Sequence, residues 1–150
     1  MSSVPVTGRR RRVMLADELG ESAVVVDAVV REIGYELARA RTTPELMRGI
    51  AEKQPDLVLL DVGLADRTRT RLIEFLASTF AALPVVALVD DRQAALASLK
   101  AGARSALPKP LEEDTLKRTL QAELRSGPEH RSVPSLGQPA TPLSATWSTE

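Results

Sequence analysis

Between residues 13 and 125 the chain repeats one pattern five times, a short aliphatic run followed by a segment of helical period. That alternation restricts the fold more than any other feature, because strands joined through helices lie parallel, with right-handed crossovers. The run around Leu57, Val58, Leu59 and Leu60 is the clearest strand. It follows a Pro55-Asp56 turn signal and has no polar interruption, the pattern of a strand covered on both faces. Val13 to Ala16, Glu36 to Ala40, Val85 to Val89 and Arg104 to Leu107 supply the others.

The intervening segments carry helix signals. From Ser22 to Ile33, the residues Val25, Ala28, Val29 and Ile33 share one face, and Gly34 stands where a C-terminal cap belongs. Thr43-Pro44-Glu45 gives an N-cap, a proline at the first helical position and an acidic first turn, with Leu46, Met47 and Ile50 facing inward. Thr68 to Thr79 carries Leu72, Ile73, Phe75 and Leu76, and Gln93 to Ala101 stops at Gly102. Glu112 to Leu124 sets Leu116, Leu120 and Leu124 on one face behind the acidic turn Glu112-Glu113-Asp114. At 150 residues and 43% hydrophobic content, one core of this kind fills readily. Residues 1–12, with the basic cluster Arg9 to Arg12, and residues 126–150, rich in Ser, Thr and Pro, are expected to be flexible arms on a folded unit of 13–125.

Composition removes several chemistries. There is no cysteine, and the single histidine, His130, falls in the C-terminal arm, so thiolate, zinc-thiolate and histidine-base catalysis are not expected. A metal would have to be held by oxygen, which favours a hard cation such as Mg²⁺. Twenty basic residues balance twenty acidic ones and aromatics make up 3%, so neither charge nor stacking indicates nucleic-acid binding. The longest apolar run, Ala81 to Val89, is broken by Pro84 and falls far short of the roughly 20 residues that span a bilayer. Asp17 and Glu18 interrupt any signal-peptide core near the N-terminus, so a cytoplasmic chain is expected.

The polar residues that remain to be explained sit at strand ends. Asp61 closes the third strand, Asp17-Glu18 the first, and Lys109-Pro110 the fifth. Open α/β sheets place their sites at the carboxyl ends of the strands, where the strand order reverses. If the first and third strands are neighbours, Asp17, Glu18 and Asp61 meet there. Two unit charges about 4 Å apart repel by about 4 kcal/mol at an effective dielectric near 20, so such a cluster attracts a divalent cation or shifts a pKa. A carboxylate in this setting serves as nucleophile toward an activated phosphoryl group, with a metal and a lysine stabilising the charge on the oxygens. Asp61, on the most continuous apolar strand, is the best-held candidate.

These residues, together with the Ala101-Gly102-Ala103 turn before the fifth strand, resemble the receiver domain of bacterial two-component response regulators across 13–125. The resemblance implies a flavodoxin-like (βα)₅ sandwich, doubly wound, with parallel sheet order 2-1-3-4-5. It implies that Asp61 is the phosphoacceptor and that Asp17, Glu18, Asp61 and the Gly63 carbonyl hold Mg²⁺. Lys109 would contact the phosphoryl group, and the bond to Pro110 would be cis. The phosphoryl donor would be a histidine kinase or phosphotransfer protein. Output would pass to a downstream protein through the surface of the fourth helix, fifth strand and fifth helix, where Lys100, Arg104, Lys117 and Arg118 lie. No enzyme is expected: an aspartyl-phosphate hydrolase shares the nucleophile but needs a cap domain that this length does not hold. No oligomeric state is assigned.

The departures from the family are specific. Val89 stands where a Ser or Thr hydroxyl is expected, and valine has no donor. Ala106 replaces the aromatic residue expected in the fifth strand. Ala65 and Arg69 replace a Pro and a Gly after the acceptor, and the loop from Asp90 to Arg92 is about two residues short, with Asp90 adding negative charge near the pocket. Two readings follow. One is a single-domain receiver phosphorylated on Asp61 and acting through a non-standard switch. The other is a pseudo-receiver that binds partners without phosphorylation.

Overall fold

The computed structural model describes residues 10–62 and 69–132. The element order is β1 (Arg12–Ala16), α1 (Ala23–Glu32), β2 (Glu36–Ala40), α2 (Thr43–Lys53), β3 (Leu57–Asp61), α3 (Arg69–Thr79), β4 (Val85–Val89), α4 (Arg92–Ala101), β5 (Ser105–Pro108) and α5 (Glu113–Ser132). The strands form one parallel sheet in the order β2-β1-β3-β4-β5. The parallel strands are those the alternation implied, and the order is the flavodoxin-like one that the family resemblance implied. β3 sits at its centre, and all five of its residues are buried.

Strand alternation divides the apolar residues between two core layers. Val13, Leu15, Leu57, Leu59, Val86, Leu88 and Leu107 pack on one face with Val26, Val29 and Val30 of α1 and Leu116, Leu120 and Leu124 of α5. Met14, Ala16, Val58, Leu60, Ala87, Val89 and Ala106 pack on the other with Leu46 and Ile50 of α2, Ile73 and Leu76 of α3 and Ala95 of α4. Asp17, Asp61 and Lys109 continue the parity of the first layer just past the strand ends.

Helix boundaries follow local chemistry. α2 is capped by Thr42, one residue earlier than expected; its hydroxyl accepts from the Glu45 amide at 3.2 Å, and Glu45 in turn accepts from the Arg41 amide at 2.7 Å. α4 is capped by Asp91, whose carboxylate accepts from the Ala94 amide at 2.8 Å. Three expectations are corrected. α1 buries Ala23, Val26, Val29 and Val30, while Ala28 faces solvent. The run Ala23-Val24-Val25-Val26 is apolar at every angle, so periodicity could not fix the rotation of this helix. Phe75 is exposed, stacking edge-on to Phe80 rather than entering the core. The backbone of α5 continues to Ser132, whereas the leucine spacing ends at Leu124. Apolar spacing marks where a helix stops packing, not where its backbone stops being helical.

Gly102 ends α4 at φ +122°, and a Cβ there would lie 2.7 Å from the Ala77 Cβ on α3. Gly34 ends α1 at φ +81° with open space around it. The pair separates backbone strain from crowding. Gly34→Ala is expected to cost about 1 kcal/mol from the left-handed backbone alone, and Gly102→Ala about 2 to 4 kcal/mol because the α3–α4 contact must also open. Urea denaturation of both variants checks this, and equal costs would exclude the close α3–α4 approach.

Candidate functional site

The β1–β3 register, with Ala16 opposite Leu60, carries Asp17 and Asp61 to adjacent positions at the carboxyl edge of the sheet. β4 and β5 pair with Val89 opposite Pro108, and the Lys109 amide donates to the Val89 carbonyl at 2.8 Å. That bond fixes the start of the Lys109 side chain, which reaches across the end of β4. The Lys109-Pro110 peptide bond is cis.

Lys109 Nζ donates to both oxygens of Asp61, at 3.0 Å and 3.1 Å. Both groups are largely removed from water, with side-chain exposures of 13% for Lys109 and 8% for Asp61. A second carboxylate, Asp90, stands 3.5 Å from the same ammonium and is 77% exposed. Burial pulls the Lys109 pKa down, but the hydrogen bond and charge of Asp61, followed by those of Asp90, outweigh it and hold the pKa above the ordinary lysine value. Lys109 is therefore a cation at neutral pH.

Asp17 is buried, and its carboxylate is already engaged. Oδ1 accepts from the Gly20 amide at 3.0 Å and Oδ2 from the Ser22 amide at 2.9 Å. Asp17 thereby folds the β1–α1 loop and serves the start of α1, where Ser22 makes no side-chain cap. Glu18 is exposed. Among the described residues no three acidic side chains converge to hold a metal ion. Gly63 and Ala65 lie outside the described residues. The donors present are oxygen acceptors on adjoining strand ends, a chemistry that suits Mg²⁺, and each Asp17 oxygen accepts only one amide hydrogen bond here.

Val89 and Ala106 are buried in the core layer opposite the one that Asp61 and Lys109 extend. Neither contributes a polar side-chain atom to the site. Beside Lys109 a cavity of about 300 Å³ is lined by Glu21, Ser22, Val25, Asp90, Pro110 and Leu111. The bridging of Lys109 between Asp61 and Asp90 was not readable from the sequence, which marked Asp90 only as extra negative charge. On the surface of α4, β5 and α5, Arg104 pairs with Glu123 at 3.1 Å, and Lys117 pairs with Glu32 of α1 at 2.8 Å.

Removing Lys109 leaves the Asp61 carboxylate without its bidentate partner. Lys109→Met is expected to cost about 3 kcal/mol at neutral pH, most of it recovered in the double variant with Asp61→Asn. The pH dependence has a fixed sign. Because the folded pKa lies above the unfolded value of 10.5, the stabilisation is full below that pH and disappears as pH rises through the folded value. The stability gap between wild type and Lys109→Met, measured by urea denaturation across pH, should accordingly be flat at neutral pH and close in strong alkali.

No helix among the described residues is long and apolar enough to cross a membrane. The sequence pattern of the response regulator receiver domain matches residues 13–121. Among curated proteins the chain is similar to Transcriptional regulatory protein ZraR of Salmonella typhimurium, 29% identical over 114 residues that cover 75% of this chain and 26% of ZraR. The chain therefore spans about a quarter of that relative's length. It is also similar to Protein PilH of Pseudomonas aeruginosa, 27% identical over 118 residues, covering 75% of this chain and 97% of PilH. A response regulator from Thermotoga maritima shares the fold with a TM-score of 0.71 at 24% identity, over 78% of this chain and 99% of the other. A two-component response regulator from Clostridium difficile does so at 0.69 and 22%, over 77% and 97%. With the sheet order, the strand-end residues and this match in agreement, the chain belongs to the response regulator receiver domain family.

Proposed function

We propose that Asp61 accepts a phosphoryl group from a histidine kinase or phosphotransfer protein and that the phosphorylated domain signals through contacts with a downstream protein. The observation that carries this reading is the bidentate pair between Lys109 and Asp61 at the carboxyl end of the central strand. A nucleophilic carboxylate must be held in place for attack, and a cation that bonds both of its oxygens fixes its orientation. Asp61 attacks phosphorus through one Oδ, the bond from phosphorus to the donor nitrogen breaks, and the departing imidazole takes up a proton from solvent. Lys109 follows the negative charge, moving from the carboxylate to the phosphoryl oxygens as the acyl phosphate forms. Asp17 and Glu18, with Asp61 and the Gly63 carbonyl, would hold Mg²⁺, which when bound supplies charge neutralisation for the transferring oxygens.

A second reading, a pseudo-receiver that engages partners without phosphorylation, is favoured by one pair of observations. Val89 offers no hydroxyl to the pocket, and Ala106 gives the fifth strand no ring to reorient. Incubation with Mg²⁺ and acetyl phosphate, followed by intact-protein mass spectrometry, separates the two. The acceptor reading expects a gain of one phosphoryl mass in wild type, its absence in Asp61→Asn, and its loss on base treatment as an acyl phosphate. No Asp61-dependent gain leaves the pseudo-receiver.

A further inference from the structure

The β4–α4 connection holds two neighbouring acids with separate roles. Asp91 turns toward α4 and caps it, whereas Asp90 lies 3.5 Å from Lys109 Nζ. Strand parity explains the division. Val86 and Leu88 face the α1 and α5 layer and Asp90 continues their parity, just as Asp61 continues Leu57 and Leu59 and Lys109 continues Leu107. Val89 belongs to the opposite layer. What reaches Lys109 from the end of β4 is thus a carboxylate and not a hydroxyl.

We propose that Asp90 is a positioning residue that holds Lys109 as a shared counter-ion and so lowers the affinity of the Asp61 pocket for a phosphoryl group or a tetrahedral mimic of one. The inference rests on the reading of Asp61 as acceptor. A phosphoryl group brings about 1.5 to 2 negative charges to a site whose cation already serves two carboxylates. It must draw Lys109 away from both, and it must lie beside Asp90 when it does. Glu21 lines the cavity beside Lys109 together with Asp90 and adds a further acid there. Because Asp90 is mostly exposed, its effect is screened by salt and moderate in size. Asp90 therefore makes the phosphorylated state shorter of counter-charge than the pocket's buried residues alone would dictate.

The test titrates beryllofluoride into the full chain with excess Mg²⁺ and reads the bound ¹⁹F NMR signal for wild type, Asp90→Asn and Asp61→Asn. Asp90→Asn is expected to bind about three- to tenfold more tightly than wild type at low ionic strength, with the gain fading near 0.5 M salt. The fading of that gain with salt is a response that a purely structural role would not produce. Binding confined to Asp90→Asn supports the inference in its strongest form. Equal binding by wild type and Asp90→Asn at low salt, or a gain that salt leaves unchanged, overturns it while leaving the acceptor reading intact. Absence of bound signal in every protein, Asp90→Asn included, overturns both.

Discussion

The site depends on pairing a carboxylate at the edge of an apolar sheet. Asp61 follows four fully buried aliphatic residues, and burying it unpaired would cost several kcal/mol. Lys109 meets that demand from two strands away, with β4 between them. Its reach is set by backbone rather than by its flexible stem, because the β4–β5 register and the Lys109 amide bond to Val89 fix where the side chain begins. Asp17 is secured differently. Its carboxylate accepts hydrogen bonds from two loop amides, so two neighbouring acids are held by separate partners.

A period of two residues organises the rest. Each strand contributes alternate side chains to the two core layers, and the first polar residue beyond each strand inherits a face from that count. Asp17, Asp61, Asp90 and Lys109 inherit the α1 and α5 side, while Val89 and Ala106 belong to the side of α2, α3 and α4. The charged site and the two apolar positions are thus separated by the thickness of the sheet. A one-residue slip in any strand would exchange the two sets and bury charge among leucines.

Much of this was legible in the sequence, and the exceptions share a cause. The continuous run from Leu57 to Leu60 reads as a doubly covered strand with Asp61 at its exit, while the place of β3 in the sheet order came from the family resemblance. Leu116, Leu120 and Leu124 gave the packed face of α5 unambiguously. The rotation of α1 was not legible, because valines at consecutive positions leave the buried face to be chosen by tertiary packing. Phe75 misled for a related reason: an aromatic at helical spacing is assigned to the core unless its neighbour, here Phe80, supplies cover outside it. Within the site, residue types at strand ends could be read, but partner choice could not. Whether Asp17 faces a cation or its own loop, and whether Lys109 serves one acid or two, depends on distances of a few ångströms.

The separation of the charged face from the apolar face bears on how a phosphorylated domain of this kind would communicate. A switch requires an element with two arrangements whose balance the new group biases. In this chain the buried valine and alanine offer little to rearrange, since close-packed aliphatic side chains have neither a polar partner to exchange nor a ring to swing. Among the described residues, Lys109 has two carboxylate partners, Asp61 on one side and Asp90 on the other. Asp90 directly precedes the residue that caps α4, which places the Lys109 contact at the entrance to that helix. On the reading of Asp61 as acceptor, electrostatic rearrangement at the β4–α4 connection would be one route, among the described residues, that does not pass through Ala106.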